Sequence, residues 1–288
     1  MPDNTIKLIE CPRDAMQGWP HPISTAQKTA YIRSLLTVGF DTLDFGSFVS
    51  PKAIPQMADT GEVIAGLDTG VSRSRLLAIV ANVRGAEEAL KYEAVHFLGF
   101  PFSISETFQR RNANSTIAEA MERVIRIREL CREHGRQLVI YISMGFGNPY
   151  GDPYDRGKVI DRVQQLVAAG ISIISLADTV GVADPGTIAW LFGQLIPAFP
   201  GVEFGAHLHA RPDGWEEKIS AAWEQGCRRF DTALGGIGGC PMAGDELVGN
   251  MATERLVRYC EKHHIVHNLD TAALEKASDL ASQLFRIP

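Results

Sequence analysis

The order of elements predicts an α/β fold: a closed (β/α)8 TIM barrel with an additional C-terminal helix. Three observations carry this expectation. Short runs rich in β-branched and aromatic residues alternate with amphipathic helical segments from end to end; eight such runs can be counted; and no linker-like stretch divides them. The chain is therefore read as one barrel domain over 1–288, with 267–288 as a helical extension after the eighth unit.

The strands are expected at 6–10, 42–46, 76–81, 94–99, 137–143, 171–176, 202–209 and 228–233. Between them, Ser24 and Gln27 form a capping-box pattern ahead of a helix over 30–38. Thr116 and Glu119 do the same for a helix within 115–135, whose Ile117, Met121, Val124, Ile127 and Cys131 share one face. A helix over 158–169 follows from Val159, Ile160, Val163, Leu166 and Val167. Gly39, Gly135, Gly170 and Gly226 close helices, where a left-handed cap costs no Cβ clash. A weak repeat supports one recurring unit: five residues after Gly39, Gly170 and Gly226 stands a polar residue in an apolar run, namely Asp44, Ser175 and Asp231. Strand alternation places these three on matching, inward faces. A doubly wound sheet would carry Gly-x-Gly-x-x-Gly after its first strand, and the turn here reads Cys-Pro-Arg-Asp-Ala-Met-Gln-Gly.

Bulk properties narrow the function. A chain of 288 residues with 45% hydrophobic content buries a sizeable core. A net charge of −6 argues against nucleic acid as a partner. No apolar run spans a bilayer and the N-terminus has no signal-peptide pattern, so no membrane partner and a cytoplasmic location are expected. Five scattered cysteines without a Cys-x-x-Cys pair fit a reducing compartment.

In a barrel, chemistry sits where strands end and βα loops begin. Arg13-Asp14 follows the first strand and reads either as a metal ligand beside an electrophilic guanidinium or as a surface ion pair. His207 and His209, at i and i+2 near the end of the seventh strand, face one side and make half of a divalent-metal site. The loop after the eighth strand has four glycines in five residues, then Cys240, a thiol either reactive or buried and inert. Asn250, read alone, is a helix N-cap. Asp44 and Asp178 end other strands, and Asp178 reads equally as a helix cap or as support for a neighbouring group. His21, His96, His134, His263, His264 and His267 lack this spacing and read as structural or surface residues.

Together these motifs resemble the 3-hydroxy-3-methylglutaryl-CoA lyases, in the wider group of barrel metallolyases that includes the isopropylmalate synthases. The resemblance covers nearly the whole chain. It is carried by Pro12-Arg13-Asp14, Ser47-Phe48-Val49-Ser50-Pro51-Lys52, Asp178-Thr179-Val180-Gly181, His207-Leu208-His209, and Gly238-Gly239-Cys240-Pro241 with Gly249-Asn250. It implies a retro-Claisen carbon–carbon lyase with an acyl-CoA substrate, and Mg²⁺ or Mn²⁺ held by Asp14, His207, His209 and Asn250. It implies that Arg13 stabilises the enolate, that His207 with Asp14 or Asp44 moves the hydroxyl proton, and that Cys240 returns a proton. Gln17, Ser47 and Asp178 are the expected substrate-binding residues. Arg110 and Arg111 are candidates for the CoA phosphates, against a solvated loop. A homo-oligomer is compatible with the sequence. The chain departs from the family pattern at Asp44, where Glu is usual, at Ala210, where Asp often stands, and after Arg13-Asp14, where only Gln17 is kept. The alternatives are the same chemistry on another β-hydroxyacyl-CoA or hydroxy acid, and a metal-binding barrel without catalysis.

Overall fold

The eight β-rich runs form β1 (Lys7–Glu10), β2 (Thr42–Ser47), β3 (Arg75–Ile79), β4 (Val95–Ser103), β5 (Gln137–Ser143), β6 (Ile173–Ala177), β7 (Glu203–His207) and β8 (Arg229–Thr232). Each strand pairs in parallel with its neighbour in chain order. The barrel closes where β8 meets β1, with Ile9 opposite Asp231. These elements come from a computed structural model that describes residues 4–70, 72–211, 213–239 and 248–286.

Helices connect the strands on the outside. The capping boxes expected at Ser24/Gln27 and Thr116/Glu119 both form, opening helices Thr25–Val38 and Ile117–Glu133. The longer of these buries Ile117, Val124, Ile127 and Cys131 against the barrel. Each large apolar side chain so buried contributes roughly 1.5–3 kcal/mol. Gly39 takes a left-handed conformation at φ 83°, and a Cβ there would meet the Arg73 guanidinium at 2.7 Å. The C-terminal helix, Thr271–Leu284, lies against helix Thr25–Val38, with Phe285 edge-on to Tyr31. Among the described residues, no helix is long and apolar enough to cross a membrane.

Several boundaries differ from expectation for local reasons. β4 runs on to Ser103 because Phe100, Pro101 and Phe102 stay in register with Ile140, Tyr141 and Ile142 of β5. β7 stops at His207, and His209 leaves the ladder to form a bridge with Asn250. Pro12-Arg13-Asp14 is the first turn of a short helix, Pro12–Gln17, with proline at its start where no N–H is needed. Asn250 caps nothing: helix Thr253–Lys262 is preceded by Ala252.

The barrel interior is divided. Leu77, Phe97, Val139, Tyr141 and Ile173 form an apolar cluster on the β3–β6 side. The seam between β8 and β1 is polar, and Glu10 is wholly buried there. Its carboxyl accepts from Leu234 N at 2.8 Å and from Thr253 Oγ1 at 2.5 Å. Burial outweighs these bonds and pushes its pKa from 4.5 up to about 8. The folded chain thus holds a proton that the unfolded chain releases. Glu10's contribution to stability is full below about pH 4.5 and is lost as pH rises towards 8. Glu10→Gln should flatten the melting temperature across that window, removing an alkaline loss on the order of a few kcal/mol. Calorimetry at stepped pH checks this, and an unchanged alkaline slope refutes it.

Candidate active site

The short helix after β1 brings two charges to the barrel mouth. Arg13 Nε lies 3.0 and 3.2 Å from the two Asp44 oxygens, its Nη2 also bonds Asp44, and its Nη1 reaches Asp14 Oδ1 at 2.9 Å. Burial disfavours the guanidinium charge, but Asp44 and then Asp14 outweigh it and hold Arg13 cationic. Asp14 also accepts from Gln17 Nε2 at 2.9 Å and from Asn250 Nδ2 at 2.7 Å. Burial would raise the Asp14 pKa; Arg13, then His207 and His209, override it and bring it down to about 2. The glycine loop passes hard against this pair. A Cβ on Gly238, at φ 117°, would stand 2.4 Å from Asn250 Nδ2 and 2.9 Å from Asp14 Oδ2.

The imidazoles of His207 and His209 lie 5.3 Å apart, centroid to centroid. His209 Nδ1 faces Val248 O at 2.7 Å, and His207 Nδ1 faces Asp231 Oδ2 at 3.0 Å. Both partners are acceptors, so both rings donate from Nδ1, which leaves Nε2 as the nitrogen that a ligand could meet. Burial lowers the basicity of both rings. At His207 the Asp231 bond and charge reverse the balance and raise its pKa, whereas His209, beside His207, stays lowered. One carboxylate, two imidazole nitrogens and one amide suit a divalent ion with room for substrate oxygens.

A tighter triangle, Cys11, His207 and Asp231, has its ligand atoms within 4.8 Å of one another. It fits an ion less well. Burial, then Asp231 and Asp44, keep the Cys11 thiol protonated, and the His207 nitrogen on that side is already bonded to Asp231.

Arg13, Asp14, His207 and His209 open into a cavity of about 420 Å³. Its floor continues through Ile79, Pro101, Tyr141 and Ala177, and its mouth carries Arg111, Asn112 and Asn114.

Residues 6–281 match the HMGL-like family model. The chain belongs to the HMGL-like family. It is 33% identical over 275 residues to the 3-hydroxy-3-isohexenylglutaryl-CoA/hydroxymethylglutaryl-CoA lyase of Pseudomonas aeruginosa, covering 94% of this chain and 90% of that protein. It is also 33% identical, over 281 residues, to the (R)-citramalyl-CoA lyase of Chloroflexus aurantiacus, covering 94% and 88% of the two chains. The solved HMG-CoA lyase of Acinetobacter baumannii, in complex with coenzyme A and 3-methylmalate, superposes with a TM-score of 0.91 at 31% identity, covering 98% of this chain and 92% of that one. The chain is a carbon–carbon lyase, as its motif order led us to expect.

Within this HMGL-like barrel the expected residues separate into three groups. Arg13, Asp14, Gln17, His207 and His209 line the cavity, and Asn250 joins them through Asp14. Asp44, Ser47 and Asp178 are buried but do not line it. Asp44 is paired with Arg13, yet burial raises its pKa above the usual carboxylate value in spite of that cation. Ser47 donates its backbone N–H to Thr60 Oγ1. Asp178 accepts from Lys218 Nζ at 2.8 Å and from Ala183 N at 2.9 Å, so it braces a loop. Cys240 lies outside the described residues. Arg111 reaches the cavity and stacks 4.7 Å over Tyr150, while Arg110 pairs with Glu106 in solvent; both stand on helix Glu106–Ala113, not in a loop. Sequence reasoning missed Tyr141 and Thr179 as lining residues and the bond from Asp231 to His207. The inward position of Asp231 in the repeat was the only signal for that bond.

Proposed function

We propose that the chain cleaves 3-hydroxy-3-methylglutaryl-CoA to acetyl-CoA and acetoacetate with Mg²⁺ or Mn²⁺. The observation that carries the reading is the meeting, at one cavity, of Arg13 with Asp14, His207, His209 and Asn250, drawn from opposite ends of the chain. Asp14, His207, His209 and Asn250 would hold the ion, which when bound lends Lewis acidity to the hydroxyl and carboxylate oxygens of a hydroxy acid. Arg13, fixed by two carboxylates, presents a pre-oriented positive charge where the enolate oxygen gains negative charge. His207, whose Nδ1 is bonded to Asp231, would serve the ion through Nε2, which leaves the hydroxyl proton to a group other than this imidazole. Ile79 and Pro101 give the cavity an apolar wall suited to the substituent on the carbinol carbon, and Arg111 and Asn114 give it polar groups suited to a CoA arm.

That apolar floor also supports a second reading, the same cleavage on a 3-hydroxyacyl-CoA with another substituent. The relatives named for isohexenylglutaryl-CoA and citramalyl-CoA point the same way. A panel of these thioesters, assayed for acetyl-CoA release with added Mg²⁺ or Mn²⁺, separates the two. Turnover should be highest with the methylglutaryl thioester and should vanish with EDTA. Turnover of another thioester alone favours the second reading, and none from any panel member overturns both.

A further inference from the structure

The barrel interior holds a set of unmatched polar atoms directly beneath the site. Tyr141, Ser175, Gly205 and Arg229 stand in register across β5, β6, β7 and β8, so they form one layer of the barrel. Parallel neighbours in register point to the same face. Tyr141 and Ser175 therefore share the interior with the Arg229 side chain, which crosses the space left by Gly205. A Cβ at Gly205 would meet Ser175 Oγ at 2.8 Å and Arg229 Cδ at 3.0 Å.

Within this layer the buried Tyr141 OH, Ser175 Oγ, Arg229 Nε and Arg229 Nη2 accept or donate no geometric hydrogen bond to protein atoms among the described residues, and neither does Asp231 Oδ1 just above. Arg229 and Asp231 are two apart on β8, so their side chains face the same way. Arg229 Nη1 is anchored below by Glu203 at 3.3 Å. Burial opposes the guanidinium charge; Asp231, Tyr141 and Glu203 outweigh it, which places all three within electrostatic reach. Donors without acceptors therefore lie beside acceptors without donors, with Tyr141 within hydrogen-bonding influence of Arg229. Buried polar groups in that relation are bridged by ordered water, which needs two to four such partners.

We propose that Arg229 is a positioning residue for His207, acting through a small cluster of interior waters and Asp231. The waters join Arg229 Nε and Nη2 to Asp231 Oδ1, Tyr141 OH and Ser175 Oγ. Asp231 is thereby held at both oxygens, one on the cluster and one on His207 Nδ1. Tyr141 restrains the same imidazole from the side, edge-on at 5.7 Å. The result is a ring fixed in one orientation and one tautomer, with Nε2 aimed into the cavity. That His207 binds an ion rests on the function proposed above; the link from Arg229 to His207 does not.

The test therefore begins on the protein without metal. Nitrogen NMR of the ¹⁵N-histidine-labelled chain reads the His207 tautomer directly. The parent should show a single tautomer with the proton on Nδ1. Arg229→Met should give a mixture, and its Mn²⁺ dissociation constant, read by electron paramagnetic resonance, should rise about tenfold. Gly205→Ala, which crowds Arg229 without removing its charge, should shift both readouts in the same direction and keeps the test open if Arg229→Met does not fold. A merely structural role predicts a lower melting temperature with His207 signals and Mn²⁺ affinity unchanged. That result in either folded variant overturns the proposal. Absence of Mn²⁺ binding or turnover in the parent counts against the lyase reading alone, because the tautomer measurement stands without it.

Discussion

Arg13→Gln should lower kcat by at least roughly 10²–10³-fold, the range seen when one pre-oriented donor to a developing oxyanion is lost. Arg13 is held on two sides by Asp44 and Asp14, so its charge is placed before substrate arrives and needs no reorganisation during the reaction. Glutamine keeps a polar side chain but neither the charge nor the fork. Losing the charge also leaves two buried carboxylates without their cation, a change that costs on the order of 3–5 kcal/mol when one partner of a buried pair is removed. The measurement must therefore be made on folded protein, with circular dichroism and metal content in parallel. KM should move less than kcat, because the interaction is made chiefly in the transition state. A kcat within a factor of a few of the parent would remove Arg13 from the chemistry.

Asp14→Ala should strip the ion. Asp14 is the only carboxylate of the proposed ligand set and stays ionised at any ordinary pH, its pKa held down to about 2 by Arg13 and the imidazoles. Without it two neutral imidazoles and an amide remain, a poor home for a hard divalent cation. Mn²⁺ affinity should fall by more than about 100-fold, beyond what loss of an outer partner costs, and turnover should vanish with it. Stoichiometric metal after dialysis of the variant would exclude Asp14 as a ligand.

Much of this was legible in the chain because strand periodicity and residue order are local signals. The i, i+2 spacing of His207 and His209 placed both imidazoles at one mouth, and Arg13-Asp14 stood where a first strand had to end. The partners of these residues were not legible, since partnership depends on register between distant strands. Asp231 meets His207 only because β7 and β8 pair Gly205 with Arg229 and Ala206 with Phe230. Ser47 came from motif resemblance alone, and the register shift of β2 between Asp44 and Gly46 could not be read from the chain. Asp178 looked like a substrate ligand at the end of β6, but the buried Lys218 arrives from helix Trp215–Glu224 to take it, and no pattern near Asp178 announces that lysine.

The contact between Asp14 and Asn250 crosses 236 positions of chain and lies over the β1–β8 seam. An emerging polypeptide therefore lacks part of the proposed ligand set until Asn250, beyond the final strand, has docked. Ion capture by the proposed set would be a late event that reports, and by mass action rewards, completion of the whole ring. A fragment ending before β8 would gain nothing from added cation, whereas the full chain should melt later in its presence.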